Sequence, residues 1–262
     1  MDRTGFIGGS DLYKIIKGDW HELWEIKTSR KQPDDLSHIF KVMLGTQTEA
    51  FNINWFLENH PNLQLDDVAY QQTFEKTIAH VPYKGTLDGY LLHMGGKHSV
   101  LECKHTSSRN TMDDMLASYL PQIHLYMRIS NCDSAYLSVI FGNDWESVRI
   151  EWNEDYWRDV HTQATNFWNL VINDIEPQAD HGSKIDWKQV NIDGLSSRCA
   201  NTDNFFVRTA HEYVETHEIA KQNAEYKKEL VALMNDNERE VYCDLLTIKR
   251  DKRGAKRITI NK

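Results

Sequence analysis

The chain has 262 residues, of which 40% are apolar and 26% charged, with 8 Trp, 11 Tyr and 9 Phe against only 13 Gly and 5 Pro. That composition excludes collagenous, mucin-like and wholly disordered chains, and the length is enough for a well-buried core without disulfides. A net charge of −9 speaks against a simple cationic nucleic-acid binder, although residues 249–262 alone carry 7 Lys+Arg and 1 Asp.

The four cysteines, Cys103, Cys132, Cys199 and Cys243, form no C-x-x-C pair, which argues against a zinc ribbon or a compact iron–sulfur site. The first residues carry no apolar leader, and no run approaches 18 apolar residues. The expectation is a cytoplasmic protein (the host cytoplasm, if phage-encoded) with reduced thiols and no membrane partner.

In chain order, Ser10 is a good N-cap for a helix over 11–17, and Asp19 for one over 20–27. A basic turn at 27–31 leads to a long helix over 36–59, capped near Ser37. On it Phe40, Leu44, Phe51, Trp55 and Phe56 recur at near-helical spacing. His60-Pro61-Asn62 breaks the pattern. Strands are expected over 68–77, over 79–93 with interruptions at Pro82 and Gly85, and over 99–104 after a Gly95-Gly96-Lys97 turn. A helix over 111–127 follows, with Pro121 as a break or first-turn residue. Strands over 135–141 and 147–152 precede an aromatic helix over 154–175. Residues 176–204 read as a linker, 205–235 as a long amphipathic helix, and 242–260 as a β-hairpin turning at 251–254. The order predicts an α/β (mixed α+β) fold, a mixed central sheet flanked by helices. The core would cover 1–176, and residues 177–262 would form a linker, helix and basic hairpin packing on or extending it.

The stretch Gly85-Thr86-Leu87-Asp88-Gly89-Tyr90, followed by Val100-Leu101-Glu102-Cys103-Lys104, carries the strongest chemical signal. Strand alternation points Glu102 and Lys104 to one face and Cys103 to the other. Asp88 and Glu102 on neighbouring strands, with the Cys103 carbonyl, offer oxygen donors to a hard cation such as Mg²⁺. Metal-assisted phosphodiester hydrolysis is the chemistry such a set serves. Alone, Glu-x-Lys is an ordinary cross-face pair on a solvated strand; the Gly-flanked Asp88 on the preceding strand is what distinguishes it. Gln122 and Tyr126 share a helix face, where the amide could orient a water or phosphate oxygen, or be simply a surface glutamine beside a core-edge tyrosine. Gly45 inside a helix suggests close packing or backbone approach there, and makes Glu49 a candidate third carboxylate or else an ordinary surface acid. Arg3 with Ser10 at a helix start could seat a terminal phosphate, or be a frayed arginine and a plain cap. The histidines show no H-x-x-x-H spacing. Phe167 and Trp168 read as core. Lys27, Arg30, Lys31 and Arg109 together suggest a narrow basic track, and the 249–257 hairpin could contact DNA phosphates as part of it or be only a solvated hairpin.

Arg3…Ser10, Gly45-x-x-x-Glu49, Asp88, Glu102-x-Lys104 and Gln122-x-x-x-Tyr126 occur in the order seen in the lambda-type phage exonucleases. The chain resembles this YqaJ-like viral recombinase branch of the PD-(D/E)XK nuclease superfamily over about residues 3–175. The resemblance implies a Mg²⁺-dependent 5′→3′ exonuclease, with Mn²⁺ as a substitute, that acts on linear double-stranded DNA ends. It implies metal at Asp88, Glu102 and the Cys103 carbonyl, with Glu49 acting through water or at a second ion. Lys104 and Gln122 would position the attacking water, and Arg3, Ser10, Tyr126 and Arg109 would contact the 5′-phosphate and DNA. A single-strand annealing protein and a homotrimer are the partners it implies. The sequence departs from some members in having no acid over 76–87, and residues 176–262 match no motif. A restriction-type or structure-specific endonuclease on the same fold, and a catalytically silent DNA-binding or interaction protein, are the rival readings.

Overall fold

The computed structural model describes residues 4–66, 72–178 and 185–261. The chain divides into two compact units, residues 1–197 and 198–262.

The first unit is built on a five-stranded sheet in the order β2 (Leu63–Leu65), β5 (Gly89–His93), β6 (His98–Thr106), β7 (Ser134–Phe141) and β8 (Asp144–Glu151). The β6–β7 pair is parallel and the others antiparallel, so the sheet is mixed as expected. Parallel neighbours need a long crossover, and the helix α4 (Met112–Ser130) supplies it. Thr111 caps α4 by accepting from the Asp114 N–H, while the Asp114 carboxylate accepts from the Thr111 N–H. Pro121 lies inside the helix without ending it. A smaller sheet, in the order β1 (Ile7–Gly8), β4 (Val81–Thr86) and β3 (Thr73–Ile78), stands beside the first.

Strand alternation divides the core between the two faces of the large sheet. Val100, Ala135, Leu137 and Val139 face the side of α1 (Gly9–Lys17), α4 and α5 (Glu154–Ile172) and join the main cluster, with Phe167 and Trp168 as expected. Leu101 and Cys103 face the helix α3 (Phe40–Asn59), where Ile53 and Phe56 cover them in a second cluster. Asn52 of α3 reaches the sheet backbone, donating to the Lys104 and Ser138 carbonyls at 3.2 and 3.1 Å.

Several local expectations are corrected. The first helix starts at Gly9 with Gly8 as its N-cap, so Ser10 is a helical residue and not the cap. The Gly8 N–H donates to the Asp11 carboxylate at 2.8 Å, while the N-cap itself supplies no side-chain hydrogen bond to the helix's own first N–H groups. Helix α2 (Trp20–Lys27) follows as expected, but α3 begins at Phe40 and not near Leu36. Residues 79–93 are two strands in two different sheets, because the chain leaves β4 at Thr86 and enters β5 at Gly89. The strand expected over 68–77 appears as β3 from Thr73, and its first positions lie outside the described residues. Gly45 is not a close approach, since a Cβ there would meet nothing within 4 Å. Of the apolar stripe on α3, Phe56 is buried, but Phe40 and Phe51 are exposed.

Residues 185–195 lie with the first unit. They include a 3₁₀ turn at Trp187–Gln189, buried Val190, and an Ile192 bridge to Ile150. The second unit holds the long helix α6 (Asn204–Ala232) and an antiparallel sheet of β9 (Glu240–Tyr242), β10 (Leu246–Arg250) and β11 (Lys256–Ile260). The expected hairpin is thus present, with a third strand added. Among the described residues no helix is long and apolar enough to cross a membrane.

Tyr126 is wedged where two glycines make room for it. A Cβ on Gly85 would lie 2.3 Å from its ring, and one on Gly9 would lie 2.8 Å from its hydroxyl. Gly85→Ala is therefore expected to destabilise the protein by about 1–3 kcal/mol through overpacking. Gly45→Ala, in open space within a helix, should stabilise it by up to about 1 kcal/mol. Thermal unfolding of the two variants checks this contrast.

Candidate active site

The site lies where β5, β6 and α4 meet. The β5–β6 ladder ends at the Gly89–Leu101 pair, because the chain before Gly89 turns away toward β4. The Cys103 N–H therefore has no strand partner on that side. The Asp88 carboxylate accepts from it at 2.9 Å, which pins this acid at the end of the ladder.

Glu102, next along β6, has no exposure to water. A buried carboxylate must be paired, and two groups reach one of its oxygens. The Lys104 ammonium ion-pairs with Oε1, and the Gln122 amide of α4 donates to the same atom at 2.5 Å. Lys104 also lies 3.7 Å from Asp88, donates to the Cys103 carbonyl at 3.1 Å, and stands 5.1 Å over the Tyr119 ring. The second oxygen, Oε2, is buried with no hydrogen-bond partner. Burial above all, and then the Asp88 charge, push the Glu102 carboxyl up to about 8, while Lys104 pulls the other way. The Lys104 ammonium is held charged well above its ordinary range by the two carboxylates against its own burial. Burial and the neighbouring acids likewise raise the Cys103 thiol, which faces the α3 cluster.

The donors offered to a cation are Asp88, Glu102 and the Cys103 carbonyl, all oxygen. The unpartnered Glu102 Oε2 is a buried lone-pair site that a hard divalent ion would satisfy, so the residues present fit Mg²⁺. Among the described residues no three His, Cys, Asp or Glu side chains converge as a metal cluster. The Glu49 charge adds to the upward push on Glu102.

The other expected residues are distributed around this point. Gln122 is committed to Glu102, so its amide holds the acid in place. Tyr126, one turn on, is buried against Gly9 and Gly85. Ser10 is exposed at the start of α1 and lines a cavity of about 240 Å³ with Lys14, Glu22 and Asp34. Arg109 is exposed in the loop between β6 and α4. Arg3 lies outside the described residues. His105, which follows Lys104, bonds Thr48 of α3 at 3.0 Å. The basic track changes most. Lys27 is buried, donating to the Asp11 carboxylate at 2.7 Å and the Phe6 carbonyl at 2.6 Å. Arg30 pairs with Asp174 and Lys31 with Glu22. The sequence reading missed Tyr119 beneath Lys104, although its position three residues before Gln122 puts both on one helix face.

The Glu102 shift has a sign that can be tested without metal. From its ordinary value of 4.5 up to about 8, the folded state keeps a proton that the unfolded chain releases. Stability therefore falls as pH rises through that window. Glu102→Gln removes the penalty and is expected to stabilise the metal-free protein by about 1–2 kcal/mol at pH 8–9. The gain should vanish near pH 4.5–5, and melting curves across pH read it directly.

No family model matches the sequence, and no curated protein matches it. Among solved structures, the chain is similar to an alkaline exonuclease, LHK-Exo, from Laribacter hongkongensis. The TM-score is 0.53 at 14% identity, covering 66% of this chain and 91% of that one. The structure of LHK-Exo in complex with dAMP matches with a TM-score of 0.51, the same identity and the same coverage. The chain therefore shares the fold of the alkaline exonuclease LHK-Exo.

Proposed function

We propose that the chain is a Mg²⁺-dependent exonuclease that degrades linear double-stranded DNA from its ends, 5′→3′, in phage-type recombination or end resection. The observation that carries this reading is the buried Glu102 carboxylate. It is held on one oxygen by Lys104 and Gln122 and left open on the other, beside Asp88.

In this reading Asp88, Glu102 and the Cys103 carbonyl hold the ion, and Glu49 supports it through water. Bound Mg²⁺ supplies Lewis acidity to the scissile phosphate and a lowered pKa to its water. Lys104 keeps a permanent positive charge between the two acids, from which it orients the attacking water and offsets charge building on the phosphate oxygens. Gln122 is a positioning residue, since its donation to Oε1 fixes which Glu102 oxygen faces the ion. Ser10 and Arg3 seat the 5′-phosphate, and Arg109 flanks the DNA end, while Tyr126, expected at the DNA, packs beneath the site against Gly9 and Gly85. A single-strand annealing protein would take up the strand exposed by digestion, and the working form would be a homotrimer.

End-labelled linear duplex and covalently closed circular DNA, each incubated with Mg²⁺, test the reading. Linear DNA should be degraded and circles left intact, with Mn²⁺ able to replace Mg²⁺. Glu102→Ala and Lys104→Ala should each lower the rate by at least about 100-fold. Variants as fast as the parent chain would sink the assigned site. Cleaved circles would instead make the protein an endonuclease, and binding without cleavage a silent DNA-binding protein. A 5′-phosphorylated end should be preferred over a 5′-hydroxyl end, and equal rates would remove Arg3 and Ser10 from the site.

A further inference from the structure

The β10–β11 hairpin of the second unit carries six cations, and strand alternation sorts them into two groups. In the ladder Arg250 lies opposite Lys256, and Lys249 lies opposite Arg257. The first pair works internally. Lys256 donates to the Val231 and Met234 carbonyls at 3.0 and 2.8 Å, closing the C-terminal end of α6. Arg250 donates to the Asn235 carbonyl at 2.8 Å and lies 3.6 Å from Asp236.

The second pair points the other way. The Lys249 and Arg257 side chains are 67% and 80% exposed, with single surface partners in Glu240 at 3.2 Å and Asp251 at 3.7 Å. Exposed pairs of this kind contribute little to stability. Like charges directly opposite on a ladder oppose folding, so the outward rung has no stabilising reason to be cationic twice. Between the strands, Lys252 and Arg253 are exposed at the tip, and no ion pair of theirs occurs among the described residues. The tip is ordered by its own turn: the Asp251 carboxylate accepts from the Arg253 and Ala255 N–H groups at 2.8 and 3.0 Å.

We infer that Lys249, Lys252, Arg253 and Arg257 form a preorganised contact for the phosphate backbone of duplex DNA, separate from the catalytic residues. The inference deepens the DNA-directed reading above and rests on it for the choice of polyanion. A narrow ribbon bearing four outward cations fits a regular row of phosphates and carries no base-reading group, so the contact is sequence-independent. The chain also needs such a patch. Its net charge is −9, and Lys27 is buried against Asp11.

The test uses the full chain and a short duplex closed at both ends, in EDTA, with affinity read by fluorescence anisotropy between about 50 and 200 mM salt. Changing Lys249, Lys252, Arg253 and Arg257 together to Gln should weaken binding tenfold or more at the low-salt end. It should also reduce the slope of log affinity against log salt by about 3. A control replaces exposed Lys17, Lys97, Arg158 and Lys188 by Gln, removing the same charge, and should change affinity less than twofold. Unchanged affinity and slope in the hairpin variant, or an equal loss in the control, would overturn the inference. So would tighter binding of the parent chain to anionic lipid vesicles than to duplex. The outcomes also separate the two proposals. Hairpin-dependent duplex binding with no Mg²⁺-dependent cleavage sinks the exonuclease reading alone. Intact cleavage with hairpin-independent binding sinks this inference alone.

Discussion

A carboxylate cut off from water organises the first unit. Glu102 sits in the middle of β6 on the face that otherwise packs Val100, Leu137 and Val139 into the main core. At that depth an unpaired charge would cost several kcal/mol, so the surroundings must supply partners or the acid must hold its proton. Both happen in part. Lys104, two residues along the same face, supplies the counter-charge, and α4 supplies the Gln122 amide. Burial and Asp88 still raise the carboxyl to about 8. One oxygen remains without a partner. In the proposed reading a bound divalent ion would offset this cost, because it would reverse the sign of the local field.

The topology that produces this arrangement is economical. A parallel β6–β7 pair requires a crossover, and the crossover helix is the one that carries Gln122, Tyr119 and Tyr126. The exit of the chain from β5 toward β4 leaves the Cys103 N–H without a strand partner, and Asp88 fills that vacancy. The acid proposed to face a metal is therefore also a backbone cap, so in that reading one bond would serve both the fold and the chemistry. On the opposite face, Asn52 ties α3 to the backbone of β6 beside Lys104, which fixes the helix that bears Glu49.

Charge follows a different logic in the two units. In the first, three of the basic residues that looked available for DNA meet acids, while Arg109 stays exposed. Lys27 is buried against Asp11, and Arg30 and Lys31 each face an acid. In the second, the hairpin spends two of its cations on carbonyls at the end of α6 and displays the others. The net charge of −9 is thus a sum over groups in unlike situations, and it speaks to solubility more than to partners.

The sequence by itself determined the alternation on β6, because a period of two leaves no other way to place Glu102, Cys103 and Lys104. It also determined the broad helix and strand order and the C-terminal hairpin, where periodicity and turn residues act locally. Tertiary structure decided the rest. Whether the stripe of Phe40, Phe51 and Trp55 is covered depends on what packs against α3, which periodicity does not record. That Gly85 rather than Gly45 is the close approach depends on where Tyr126 arrives from α4. The split of 79–93 into two sheets and the loss of Lys27 to the interior turn on contacts between residues distant in the chain. Local patterns fix which way a side chain points along its own element; only packing fixes what it meets there.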